Sequence, residues 1–158
     1  MKSPITPADE IVDLRRGIDH IGVGIAIIVH DGQGNILLMK RGPKARDEQG
    51  RWDICGGAVE FGESFEAAAH RELMEELCAQ ALELERLGVY DAHREHEGQP
   101  THWVQVVHAA RVDPATVKVG EPHKISEINW FNSGTLPEPR HSQFDKAYVI
   151  ARESGLIR

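Results

Sequence analysis

Residues 56–80 read GGAVEFGESFEAAAHRELMEELCAQ, and the spacing within them decides how the rest of the chain is read. Gly57 is followed after five residues by Glu63, and after seven more by Arg71-Glu72-Leu73-Met74-Glu75-Glu76. Ser64 is a good helix N-cap and Glu66 lies in the dipole-favoured first turn, so a helix is expected from Ser64 onward. On that helix Glu72, Glu75 and Glu76 are i, i+3 and i, i+4 neighbours, and their carboxylates converge on one face. Like charges so placed cost an isolated helix roughly 0.2–0.5 kcal/mol per pair, and a helix built only for solubility interleaves lysines there. A hard divalent cation that takes oxygen ligands is the simplest compensation. Leu73, Leu77 and Ala69 fall on an adjoining flank expected to face a sheet. Arg71, four residues before Glu75, is placed to pair with it.

Before this stretch, Ile21–His30 is rich in Ile and Val and reads as a buried strand. Asp31-Gly32-Gln33-Gly34-Asn35 is dense in turn formers, and Ile36–Lys40 completes a hairpin. Gly42 to Gly50 reads as a polar loop, Trp52 to Cys55 as a short strand, and Val59 to Gly62 as the extended approach to the helix. After it, Leu87–Ala92 and Trp103–Val112 read as strands, with HREHEGQPT between them as a loop. Pro114 to Ser126 reads as another loop and Ile128–Phe131 as a short strand. Ser142 with Asp145 three residues on resembles a capping box opening a second helix that ends near Gly155. No repeat, linker or low-complexity segment interrupts residues 1–158, so one domain is expected: an α/β (α+β) layout with a central mixed sheet and helices on both faces.

The chain has 158 residues, 41% hydrophobic and 27% charged, the composition of an ordinary soluble globular protein. Its net charge of −7 argues against nonspecific nucleic-acid binding, which demands a basic face. A small anionic ligand is still compatible, because a bound metal reverses the local field. Cys55 and Cys78 give neither a disulfide framework nor zinc spacing. The N-terminal MKSPITPADEIVDLRRG lacks an apolar signal core, and the apolar run Ile21 to Val29 is too short to span a bilayer. A reduced, cytoplasmic setting without membrane attachment is expected. Among nine histidines the tightest pair is His93-x-x-His96, which reads as solvated loop residues without zinc partners. Cys55 reads as a small buried hydrophobe. Of Trp52, Trp103 and Trp130, two are expected in the core or on a sheet face, leaving one to stack a base.

The constellation Gly57, Glu63, Arg71, Glu72, Glu75 and Glu76, with Leu73 in the apolar slot, resembles the Nudix box of MutT-like hydrolases, which cleave a diphosphate linking a nucleoside to another group. Two positions depart: Cys78 and Ala79 stand where the family usually has glycine and a larger apolar residue. Further matches follow in order along the chain. They are Leu37-Leu38-Met39-Lys40-Arg41, Trp52 before the glycine pair, and Glu127-Ile128-Asn129-Trp130-Phe131 followed by Leu136-Pro137. Cys55 stands where many members have proline.

The resemblance implies the Nudix-type α/β/α sandwich and a Mg²⁺ cofactor, with Mn²⁺ as a substitute. It implies metal ligation by Glu72 and Glu76, with Glu75 and a main-chain carbonyl near Gly56 as further ligands. Gly57, Glu63 and Arg71 would hold these carboxylates in place. The catalytic base is a box glutamate, Glu72 first, or the later loop acid Glu121; Glu75 is the other catalytic candidate. Arg41 and Lys40 are candidates for phosphate contacts. The implied reaction is pyrophosphohydrolysis of a nucleoside triphosphate to a monophosphate and pyrophosphate. ADP-ribose or a nucleotide sugar is the alternative substrate. Two other classes share the scaffold: an isopentenyl-diphosphate-isomerase-like enzyme, which needs a catalytic cysteine and glutamate outside the box, and a non-catalytic nucleotide-binding module. Relatives are often homodimers, and no feature of this sequence decides the oligomeric state.

Overall fold

The structure is a computed structural model and describes residues 13–157, so most of the N-terminal MKSPITPADEIVDLRRG segment lies outside the described residues. Strands β1 (Gly22–His30), β2 (Ile36–Arg41), β3 (Trp52–Asp53) and β4 (Cys55–Ala58) precede helix α1 (Phe65–Leu77). Strands β5 (Glu83–His96), β6 (Gln99–Arg111) and β7 (Ile125–Phe131) then lead to helix α2 (Phe144–Glu153). All the strands join one mixed sheet with a path β3-β2-β1-β6-β5. Strand β4 pairs antiparallel with β1, β7 pairs antiparallel with β2, and β1 runs parallel to β6 from Gly22↔Trp103 to His30↔Arg111.

From Ile25 to Val29 strand β1 is buried on both faces, which is why it reads as a nearly continuous apolar run. Its residues alternate between two cores. Ile25, Ile27 and Val29 pack with Leu73 and Leu77 under α1, while Ala26 and Ile28 pack with Phe144, Ala147 and Ala151 under α2. The expected α/β/α sandwich follows directly from that alternation. Ser64 caps α1 as expected, its hydroxyl accepting a bond from the Ala67 amide at 3.0 Å. The β1–β2 turn is an Asx turn in which the Asp31 carboxylate accepts from the amides of Gln33 (2.7 Å) and Asn35 (3.2 Å).

Three expectations are corrected. The segment HREHEGQPT is not a loop: β5 and β6 continue through it as paired strands, His93 opposite His102 and His96 opposite Gln99. Glu97 and Gly98 both have positive φ (50° and 76°), the requirement of a two-residue type I′ hairpin turn. The arm carries polar residues at nearly every position, which hid its two-residue period. Ser142 does not cap α2. Its amide and its hydroxyl both donate to Glu48, each at 2.9 Å, and α2 starts at Phe144 without a side-chain cap. The expected Trp52–Cys55 strand splits at Ile54, so that β3 joins β2 and β4 joins β1. In addition, β7 starts at Ile125, ahead of the expected Ile128.

Candidate active site

Helix α1 presents Glu72 and Glu76 to the ends of β1 and β4, and both are buried, at 7% and 9% exposure. Arg71 organises the cluster. Its guanidinium holds Glu63 with two bonds (2.8 and 2.9 Å), donates to the Ala58 carbonyl at 2.9 Å, and reaches Glu72 at 2.8 Å. The expected Arg71–Glu75 pair is present at 3.4 Å, but Glu63 and Glu72 are the nearer partners. Glu63 also accepts the Glu60 amide at 3.0 Å and so ties the extended approach to the helix. Arg71 and Glu60 draw the Glu63 carboxyl down to about 2.

Glu76 accepts the Gly56 amide at 3.1 Å. Burial pushes its carboxyl well above the ordinary glutamate range, and the Glu72 charge pushes the same way. Burial raises Glu72 too, although Arg71 opposes the shift. One guanidinium, already shared with Glu63, does not neutralise these acids, and Glu75 adds another at the exposed rim. Hard oxygen donors with surplus negative charge on a rigid helix are the donor set a divalent cation of the Mg²⁺ class requires. Room for the carboxylates comes from Gly57, where a Cβ would lie 2.1 Å from Glu72 Oε1.

The acids open onto a cleft of about 520 Å³ whose walls also include Tyr90, Arg94, Trp103 and His141. Glu121 lines it from the loop before β7, its side chain 23% exposed and 3.5 Å from Lys124. The Gly120 amide donates to the Glu76 carbonyl at 2.8 Å, and a Cβ on Gly120 would lie 2.1 Å from the Glu75 carbonyl oxygen. Loop and helix therefore touch backbone to backbone. Lys40 lines the cleft beside the Trp52 ring, 5.8 Å from its centroid, and Arg41 is held by Asp47 (2.9 Å) and Asp53 (3.4 Å).

One family model, described as the NUDIX domain, matches residues 20–152. The chain belongs to the NUDIX family. A Bacillus subtilis protein named, provisionally, as an 8-oxo-dGTP diphosphatase is 30% identical over 114 residues, covering 72% of this chain and 68% of its own. An isopentenyl-diphosphate Delta-isomerase of Photorhabdus laumondii is 38% identical over 76 residues, which span 48% of this chain and 42% of the isomerase. Among solved structures, a MutT NUDIX hydrolase from Burkholderia pseudomallei superimposes with a TM-score of 0.72 at 32% identity, over 81% of this chain and 95% of that one. The protein is thus a Nudix hydrolase of pyrophosphate bonds in nucleoside diphosphate-linked compounds.

Both departures from the Nudix box have a local account. Cys78 ends α1 in the left-handed conformation, φ 52°, donating to the Met74 carbonyl at 3.1 Å, and the glycine usual at this position adopts that conformation without strain. Ala79 is fully buried in the core under α1, which leaves little room for a larger side chain. Cys55 is buried with its Sγ 4.0 Å from Glu76, and burial pushes its thiol well up.

Trp52 packs edge-on to Phe131 (5.1 Å) and Trp130 packs against the α1 core, so Trp103 is the tryptophan that lines the cleft. Sequence reasoning missed the rest of the cleft wall. Arg94 bonds both Asp47 and Glu48, and His141 meets Glu48 at 2.8 Å. This network anchors the Gly42–Gly50 loop, and its members are scattered along the sequence. The glycine before Glu121 was the one available signal for the loop's close approach.

Proposed function

We propose that the protein is a Mg²⁺-dependent nucleoside triphosphate pyrophosphohydrolase, with Mn²⁺ as a substitute, that releases a nucleoside monophosphate and pyrophosphate. The observation carrying this reading is the surplus of buried carboxylate at Glu72 and Glu76, open to a cleft with Lys40, Arg46 and Lys124 on its walls. In this reading Glu72 and Glu76 hold the cation, with Glu75 and the main chain near Gly56 as further donors. A cation so held neutralises charge on the phosphate oxygens. Arg71 fixes Glu72, and Glu63 fixes Arg71. Glu121 is the stronger candidate for the base that takes the proton of the attacking water, because Glu72 is already engaged by Arg71 while Glu121 reaches the cleft from a separate element. Glu72 is the alternative. Lys40 is the better placed of the two strand-end cations to meet phosphate, since Arg41 is committed to Asp47 and Asp53.

The triphosphate preference is supported by the name of the Bacillus subtilis relative. The isomerase reading finds less support, because Cys55, beside the box acids, is buried against Glu76. The test is a hydrolysis panel of triphosphates, ADP-ribose, nucleotide sugars and isopentenyl diphosphate, with and without Mg²⁺ and with products identified. The expected outcome is monophosphate plus pyrophosphate from a triphosphate, abolished in Glu76→Gln. Isomerised product without phosphate release, or turnover by Glu76→Gln at the wild-type rate, overturns the proposal.

A further inference from the structure

The hairpin arm places two histidines and an aspartate together outside the catalytic cleft. His93 on β5 lies directly opposite His102 on β6, with the imidazoles stacked at 4.1 Å between centroids. Asp91, two residues before His93 and hence on the same face of β5, reaches His102 Nε2 with its Oδ1 at 3.1 Å. One ligand atom from each of the three lies within 4.8 Å of the others. His96, the partner suggested by the sequence, is opposite Gln99 and takes no part.

We propose that Asp91, His93 and His102 form a binding site for a borderline transition-metal ion of the Zn²⁺ class, separate from the hard-cation site on α1. Imidazole nitrogens favour Zn²⁺, Co²⁺ or Ni²⁺ over Mg²⁺, and two histidines with one carboxylate leave coordination positions open to water. The side chains are exposed or half-buried, so small rotations bring the three donors onto one ion at little cost. Among the described residues a second cluster, Asp47, Glu48 and His141, is a poorer host because it has a single histidine and because Arg41 and Arg94 already neutralise its carboxylates. The two faces of the arm have different duties. Asp91, His93 and His102 point one way, while their neighbours Ala92, Arg94 and Trp103 point the other way and line the cleft. An ion at the triad therefore cross-links β5 to β6 behind the cleft wall.

The experiment is calorimetric titration of the tag-free, chelator-treated chain with ZnCl₂ in excess Mg²⁺, which occupies the hard site, together with thermal melts. The expected result is one Zn²⁺ per chain, at least tenfold weaker binding in His93→Ala and in His102→Ala, and wild-type Zn²⁺ binding in Glu76→Gln. At a hundredfold excess over Kd the ion is expected to raise Tm by about 5–10 °C. Zn²⁺ binding that survives in the His93→Ala/His102→Ala double variant, or that is lost in Glu76→Gln, overturns the proposal, as does the absence of any Zn²⁺ binding.

Discussion

Gly57→Ala is the sharpest probe of the active-site geometry, because its expected effect is steric and confined to one contact. An added Cβ would lie 2.1 Å from Glu72 Oε1, 2.5 Å from its Cδ and 2.8 Å from Oε2. Gly57 does not adopt a left-handed φ, so backbone strain adds nothing. Restoring ordinary contact, about 3.4 Å or more between carbon and its neighbours, moves the carboxylate by roughly 1 Å. The 2.8 Å Arg71–Glu72 bond is then stretched or lost. A hydrogen bond to a charged group contributes about 1.5–3 kcal/mol. The gain from a stiffer unfolded chain, about 0.4–1 kcal/mol for Gly→Ala, offsets part of that. The net cost is then about 1–2 kcal/mol, a fall in Tm of roughly 2–8 °C. The rate should suffer far more, since a 1 Å misplacement of catalytic groups costs about a hundredfold. The assay compares kcat at saturating Mg²⁺ and Tm for Gly57→Ala against Gly134→Ala, whose Cβ would meet Asn132 Oδ1 at a comfortable 3.4 Å. A folded Gly57→Ala protein with wild-type kcat would refute the placement of Glu72 at the reacting centre.

Further outcomes follow from other contacts. Gly120→Ala drives a Cβ against the Glu75 carbonyl, so it should push the Glu121 loop off α1 and lower kcat by about a hundredfold, as Glu121→Gln does if that acid is the base; near-normal rates in both remove the loop from the mechanism. Cys78→Gly relieves a left-handed residue at the end of α1 and should raise stability by about 0.5–1 kcal/mol in denaturant melts, with activity unchanged; destabilisation would show that the thiol packing outweighs the strain. Burial holds His30, His108 and His141 below their usual range, so each favours its neutral form in the fold. Their contribution is fully present above the unfolded value of about 6.5 and is lost as pH falls through the depressed folded values, so stability should drop as the pH is lowered below about 6.5. His141→Gln should flatten part of that slope, and an unchanged slope would assign it to the other two histidines. Replacing one buried, poorly compensated acid by its amide, as in Glu76→Gln, should raise the Tm of the metal-free protein while abolishing turnover, because the amide oxygen can still accept the Gly56 amide.

The box helix was legible because its information is local: fixed spacings place Ser64, Arg71 and the glutamates without reference to the rest of the chain. The assignment of Arg71 to Glu75 was incomplete for the same reason, since helical spacing is local while the bond to the Ala58 carbonyl depends on where β4 ends. The cleft wall was illegible because tertiary pairing decides it. Ser142 has the spacing of a capping residue, but Glu48, 94 positions away, takes both its amide and its hydroxyl. The hairpin arm failed in another way. With polar residues on both faces it lacks the apolar alternation by which strands are recognised, and only its Glu97-Gly98 turn marked it.

The same two-residue period that builds the sandwich also makes the cleft. Odd-numbered residues of β1 from Ile25 on are large and fill the core beneath α1, so the carboxylates of that helix sit on an unyielding base. On the even-numbered face, Ile28 is large where α2 covers the sheet, but the positions towards the strand start are Gly22, Gly24 and Ala26. Without side chains there, the Trp103 ring lies over Gly22 and the Gln105 carboxamide over Gly24, where a Cβ would lie 2.6 Å from the nearest indole carbon and from Gln105 Oε1. Trp103 and Gln105 thereby become floor of the cleft, a flat apolar ring beside a neutral amide, on the opposite face of the sheet from α1. The cleft thus has the box acids on one wall and a flat ring with a neutral amide on another. The alternation of one strand sets the rigid base of the acid cluster and the flat wall of the cleft on opposite faces of one sheet.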